Sequence, residues 1–210
     1  MKYLKNNLWI QLFIIYSRYL IGGAFVYSSI VKIKGLRFTS FDGSNYPINS
    51  PFHFFETMYQ SGVYWQFLGW VQLIAGLLLM TQRYSKLGAL LFVAIISNIF
   101  VITISIPGFS GTPIVTGLML LATLMLVIWD WDELKILLNL PPEINSSKRL
   151  ENLKTWEITG FALFLVTVWV KAFNVRYDFF VWGICCLLVS VIGFFIGLKN
   201  WRKLKTNAHK

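Results

Sequence analysis

The residues of this chain that could do chemistry are few, and most sit in apolar surroundings. Between Leu8 and Ile33, an otherwise hydrophobic run carries Arg18, Gly22, Phe25, Ser29 and Lys32, which recur at i, i+4, i+7, i+11 and i+14. On a helix that spacing makes one continuous face. A face with two cations and a small-residue notch reads as a polar seam turned toward other helices, not as a lipid-facing anchor. Further along stand Gln72 and Asn98, which can donate and accept hydrogen bonds, and Glu56, which can also carry a proton. Glu56 is the carboxylate to test for proton handling, because a partly buried Glu can be raised toward neutral pH.

Other chemistries lack their parts. Cys185 and Cys186 are adjacent in an apolar run, so they form no CxxC and no metal spacing, and packing is their simplest role. Neither His53 nor His209 falls in an apolar segment, so a single chain offers no bis-His haem site in the membrane, and two thiols are too few for an iron–sulfur cluster. No intrinsic haem or iron–sulfur site is expected, and no metal site. No activated nucleophile or convincing general base is visible either. Whether the chain is an enzyme stays open at this point.

The elements that must position these residues follow from composition. With 56% hydrophobic residues, 13% charged, nine Trp and eighteen Phe, the 210-residue chain is too apolar for a soluble domain and reads as an all-α integral membrane protein. Six apolar segments are expected: Leu8–Ile33, about Tyr64–Thr81, Leu87–Ile106, Ile114–Trp129, Trp156–Phe173 and Phe179–Leu198. The last two are just long enough to span ~30 Å at about 1.5 Å per residue. Phe52–Gln60 is too short to cross and reads as an amphipathic lead-in to the second span. The stretch from Asp130 to Thr155 reads as a connection in which Ser146 or Ser147 caps a short amphipathic helix.

The net charge of +10 is best explained by orientation, not by nucleic acid, because the cations cluster at segment ends. With the amino terminus inside, thirteen cations fall on the cytoplasmic side and five outside. The positive-inside bias then puts both termini in the cytoplasm. If the hydrocarbon begins near Trp9, Arg18 lies roughly 13 Å below the inner surface and needs a partner. Gln72 lies at nearly that depth and shares a face with Gly69 and Gly76, so an Arg18–Gln72 hydrogen bond is expected between the first two spans. Lys32 and Glu56 are expected to pair at the outer mouth, Asn98 to bond between helices, and Thr116 and Thr123 to bond back to their own helix.

The segment RYLIGGAFVYSSIVKIKG, the FFETMYQSG lead-in to a WxQLIAGLLLM helix, the turn QRYSKLGALL and a fourth helix ending in Trp and Asp together resemble the DoxX-like family of small bacterial membrane proteins. The resemblance covers about Tyr16 to Leu137 and rests on Arg18, Gly22, Gly23 and Lys32. It implies a four-helix membrane core, taken over residues 1–137; beyond it the chain's own pattern gives a cytoplasmic linker at 138–155 and a two-helix extension with a basic tail at 156–210. It also implies a place in the bacterial inner membrane and a role beside quinone-linked redox complexes, with a membrane or periplasmic protein as partner.

A quinone needs an apolar slot and one or two donors, which Arg18, Gln72, Lys32 and Asn98 could supply. Three readings stand at this point: an accessory, quinone-interacting subunit of a membrane redox complex; a binding or transport protein for a small or lipid-like molecule; and a scaffold whose seam only holds helices together. Membrane lipids are partners in all three, and nucleic acid in none.

Overall fold

The computed structural model describes residues 5–39, 41–142, 149–173 and 179–207, and all of its regular structure is helical. Six helices are long and apolar enough to cross a membrane, which makes this a multi-pass membrane protein by composition and length. They are α1 (Leu8–Ile33), α3 (Val63–Met80), α4 (Ser85–Ser105), α5 (Thr112–Trp129), α7 (Lys154–Phe173) and α8 (Phe179–Asn207). Between them lie α2 (Pro51–Gln60), the one-turn α6 (Trp131–Leu134) and two 3-10 turns, Lys135–Leu138 and Leu150–Asn152.

Local signals set the helix ends. Asn7 caps α1 by accepting from the Trp9 amide, and Gly35, at φ +62°, closes it. There the Leu36 amide reaches Val31 O and the Gly35 amide reaches Lys32 O, the paired bonds of a Schellman end. Ser50 caps α2 ahead of Pro51, whose fixed φ suits the first helical position.

α1 is the hub. On one side it packs with α3, α4 and α5 around Ile21, Phe25, Leu79, Phe92 and Leu126, and the Phe25 and Phe92 rings stack with centroids 3.6 Å apart. On the other it packs with α7 and α8 around Ile15, Tyr19, Met80, Trp156 and Leu163. Small residues let the helices approach. A Cβ on Gly76 would stand 2.8 Å from Gly22 O, and one on Gly69 would stand 2.9 Å from the Ile33 amide nitrogen. The closest approach is at Gly160 of α7, where a Cβ would fall 1.9 Å from Met80 O. Gly23, expected to pack helices, is different: a Cβ there meets nothing within 4 Å.

The connection after α5 departs from expectation. Ser146 and Ser147 lie outside the described residues. From Arg149 on, the chain makes only the turn Leu150–Asn152 before α7 begins. An exposed amphipathic helix gives way to a buried turn because its residues have partners inside. Leu150 is fully buried and its amide donates to Gln11 Oε1, while Glu151 faces Arg18.

The fit at Gly160 is testable. Gly160→Ala would over-pack a contact against backbone and is expected to cost about 1–3 kcal/mol. Its Tm in detergent should fall, while Gly111→Ala, whose Cβ meets nothing within 4 Å, leaves Tm unchanged.

Candidate functional site

Three other parts of the chain converge on Arg18, which is 2% exposed. Its Nη1 donates to Gln82 Oε1 at 2.9 Å and to Glu151 Oε2 at 2.8 Å, and its Nη2 donates to Asp130 Oδ2 at 2.8 Å. Arg149 extends the cluster, with Nη1 3.1 Å from Glu151 Oε1, 3.7 Å from Asp130 Oδ1 and 3.6 Å from Glu133 Oε1. Gln82 turns its amide inward from a left-handed backbone, φ +57°, a conformation that a non-glycine residue adopts at some cost. Its Nε2 also donates to Ile15 O at 3.4 Å.

The electrostatics are those of a balanced buried cluster, two guanidinium groups facing two carboxylates. Burial pushes the Asp130 carboxyl above its usual range, an effect that the Arg18 charge only partly offsets. Burial also pushes Glu151 up, but Arg18 and Arg149 together bring it below the usual range. At the same end of the bundle, Lys5 pairs with Asp132 at 2.7 Å and Lys86 pairs with Glu133.

The expected Arg18–Gln72 bond is therefore replaced. The glycine contacts set the reason, since Gly76 lies level with Gly22 and Gly69 with Lys32 and Ile33. Gln72, between the two glycines, stands between those levels, well over a helical turn from Arg18 along the axis. It is buried, and its Oε1 has no hydrogen-bond partner among the described residues. Arg18 lies at the level of the α3–α4 turn because α1, at 26 residues, runs past the ends of its neighbours.

At the far end the expected Lys32–Glu56 pair is also replaced. Glu56, 2% exposed, accepts Arg37 Nε and Nη2 at 2.8 and 2.9 Å, Gln60 Nε2 at 3.2 Å and the Gly43 amide at 3.3 Å. The guanidinium fork takes both carboxylate oxygens, which a single ammonium cannot do. Its hydrogen bond from Arg37 holds Glu56 below the ordinary glutamate range, so proton handling near neutral pH does not fit this site. Lys32 instead donates to Ser28 O at 2.9 Å and lies 4.7 and 5.3 Å from the Phe38 and Trp65 ring centroids. Asn98 is exposed on α4, turned away from the face that buries Phe92, Ile96 and Thr103. Thr116 and Thr123 bond back to their own helix, and the Thr116 hydroxyl also meets that of Thr103 at 2.9 Å.

Two hollows flank α1. A polar cavity of about 730 Å³ opens on the Arg18 cluster at the amino-terminal end. An apolar cleft of about 370 Å³ lies among α1, α7 and α8, walled by Tyr16, Tyr19, Gly23, Leu163, Trp182 and Cys186. The aromatic walls are held in place: Tyr16 Oη donates to Ser190 O at 2.8 Å, Tyr19 Oη to Trp156 O, and Trp182 Nε1 to Thr167 Oγ1 at 3.1 Å. Arg18, Lys32, Gln72 and Asn98, the expected quinone donors, do not line this cleft. No group of three or more His, Cys, Asp or Glu among the described residues could hold a metal ion.

Sequence reasoning missed Gln82, Asp130, Arg149 and Glu151 as partners of Arg18. Asp130 had a signal, since it follows Thr116 and Thr123 at seven-residue steps, a spacing that puts all three on one face. Glu151 had none, because its approach to α1 depends on the path of a connection.

Both ion clusters can be tested by substitution. Arg18→Leu leaves the buried Asp130 and Glu151 with Arg149 alone opposite them, and should cost about 3–5 kcal/mol, seen as a large drop in Tm, with Arg18→Lys intermediate. At the far end, a lowered folded-state pKa for Glu56 means stability that is present above its ordinary 4.5 and is lost as pH falls through the folded value. Pepsin cleavage within 41–50 should rise on acidification, and Glu56→Gln should already show it at higher pH. In comparisons with known proteins, no family model matches the chain, and no curated protein or solved structure matches it.

Proposed function

We propose that this chain is a DoxX-like inner-membrane protein of bacterial type that holds a quinone-class molecule in the cleft among α1, α7 and α8 and serves as an accessory subunit of a membrane redox complex. The observation that carries the reading is the cleft itself: apolar, walled by oriented aromatics, and placed within the spanning parts of three helices. A volume of about 370 Å³ is within the range of small-molecule pockets. Tyr16, Tyr19 and Trp182 offer ring faces and edges to a planar headgroup. Ser17, Ser190 and the Cys186 thiol stand in the wall as polar groups for its carbonyl oxygens.

A bound quinone would supply the electron-carrying group, and a redox partner would supply the electrons. The chain's own residues would bind and orient the ring. Gly23 keeps the cleft open by lacking a side chain where α1 passes it. The orientation with both termini cytoplasmic draws on the excess of Lys and Arg at the amino-terminal end. It also draws on the return of α8 to that end, where Asn200 Nδ2 donates to Thr155 Oγ1 at 2.9 Å. A purely scaffolding role agrees with the hydrogen bonds of both Arg18 Nη atoms to protein partners, but it leaves the cleft without a use.

Protein purified in mild detergent from its native membrane should retain a quinone detectable by extraction and mass spectrometry. Gly23→Leu, which projects into the open cleft, should lose that quinone while keeping its Tm. A wild-type protein that carries none, or a Gly23→Leu protein that retains it, overturns the reading.

A further inference from the structure

The polar cavity at the amino-terminal end is a second site, and it shares no lining residue with the apolar cleft. It lies beside Arg18, in the interior of α1, and among the ends of other membrane-spanning helices: Gln82 and Arg83 after α3, Lys86 at the start of α4, Asp130 after α5 and Lys154 at the start of α7. Helix ends of this kind stand at the level of lipid headgroups. A hollow of about 730 Å³ there is large enough for more than a few waters.

Its charge pattern is mixed and nearly balanced. Five cations line it, Arg18, Arg83, Lys86, Arg149 and Lys154, against four carboxylates, Asp130, Glu133, Glu151 and Glu157. A simple anion would find as many repelling carboxylates as it could avoid, and a simple cation would meet the guanidinium groups. A ligand that carries both charges and no net charge suits such a wall.

Two of the lining side chains carry an unsatisfied polar atom. Asp130 Oδ1 is a buried acceptor and Arg18 Nε a buried donor, neither with a hydrogen-bond partner among the described residues, in side chains that are each 2% exposed. Arg149 Nη1, at 3.7 Å from Asp130 Oδ1, is close enough for charge attraction but too far for a hydrogen bond. Buried polar atoms left in this state ordinarily have a partner. At the rim, Arg83 and Lys154 are exposed.

We infer that this cavity binds a phosphoethanolamine unit, a primary ammonium tethered to a phosphate, with the ammonium toward Asp130, Glu133 and Glu157 and the phosphate toward Arg83, Lys86 and Lys154. The primary ammonium matters because it donates three hydrogen bonds, whereas a quaternary ammonium of the same charge donates none. The source can be an aminophospholipid in the surrounding leaflet or a soluble phosphoethanolamine. They differ in the diacylglycerol ester and in charge: the lipid phosphodiester leaves the unit with no net charge, whereas the free monoester carries close to one further negative charge near neutral pH.

The test uses the full chain in nanodiscs made from a neutral phosphatidylcholine background. Addition of phosphatidylethanolamine should raise Tm, and native mass spectrometry should find it retained in preference to phosphatidylcholine and phosphatidylglycerol. Free phosphoethanolamine that protects equally well assigns a soluble source, and protection by the lipid alone assigns the membrane. Arg83→Gln combined with Lys154→Gln, two exposed rim positions outside the Arg18 hydrogen bonds, should weaken retention by about tenfold while Tm in phosphatidylcholine stays unchanged. Equal retention of the three lipids with no response to free phosphoethanolamine overturns the inference, as does an undiminished preference in the double variant.

Discussion

A guanidinium group buried among apolar helices must be neutralised where it stands, and the architecture of this protein answers that requirement at Arg18. Its partners come from the α3–α4 turn, the end of α5 and the start of the α7 arm. None of these segments could move by a helical turn without taking a partner from a guanidinium group that is 2% exposed. The cluster therefore fixes the relative height of four parts of the chain. Because α1 has 26 residues, about 39 Å at the helical rise, it is longer than ~30 Å of hydrocarbon. The surplus lies on the amino-terminal side of Arg18, where Gln11 takes the Leu150 amide and Lys5 meets Asp132.

Height is fixed by charge, and lateral spacing is fixed by glycine. The α1–α3 crossing is close because Gly22, Gly69 and Gly76 present backbone to backbone, and α7 docks where Gly160 meets Met80 O. These contacts place α1 at the centre of two cores that do not otherwise share a helix other than α3. Gly23, one residue from Gly22, faces α7 and α8 without touching them, and the cleft is the space left there. Neighbouring glycines thus do opposite things: one brings a helix in, and the other keeps a volume clear.

The six spans were legible because apolar length is a local property of the chain. Leu8–Ile33 is the same in expectation and structure, most other boundaries, such as Tyr64–Thr81 against Val63–Met80, shift by a residue or two, and α8 runs nine residues past the expected end at Leu198. Partners across helices were less legible. Placing Arg18 opposite Gln72 required the start of the hydrocarbon, and Trp9 was a poor marker for it because α1 continues beyond the neighbouring helix ends. Lys32 and Glu56 are close in sequence logic, but Arg37, on the loop between them, offers the carboxylate a better fork. Asn98 is a polar residue on an apolar helix and invited an inward reading, yet it lies on the exposed side of α4. Asp130 could have been read from its heptad relation to Thr116 and Thr123. Glu151 depends on how a connection folds back, which no local pattern encodes.

The sequence distances in the Arg18 cluster also set an order of events during synthesis. Arg18 is made 64 residues before Gln82, 112 before Asp130 and 133 before Glu151. The first helix must enter the membrane with its guanidinium group unneutralised, at a position from which the side chain must stay near the interface. It acquires one neutral partner when the second span turns, its first carboxylate when the fourth span ends, and its second only in the turn just before the fifth. The residue that locks the finished bundle is thus among the first made and the last satisfied, so a chain stopped after four spans would hold its lock half closed.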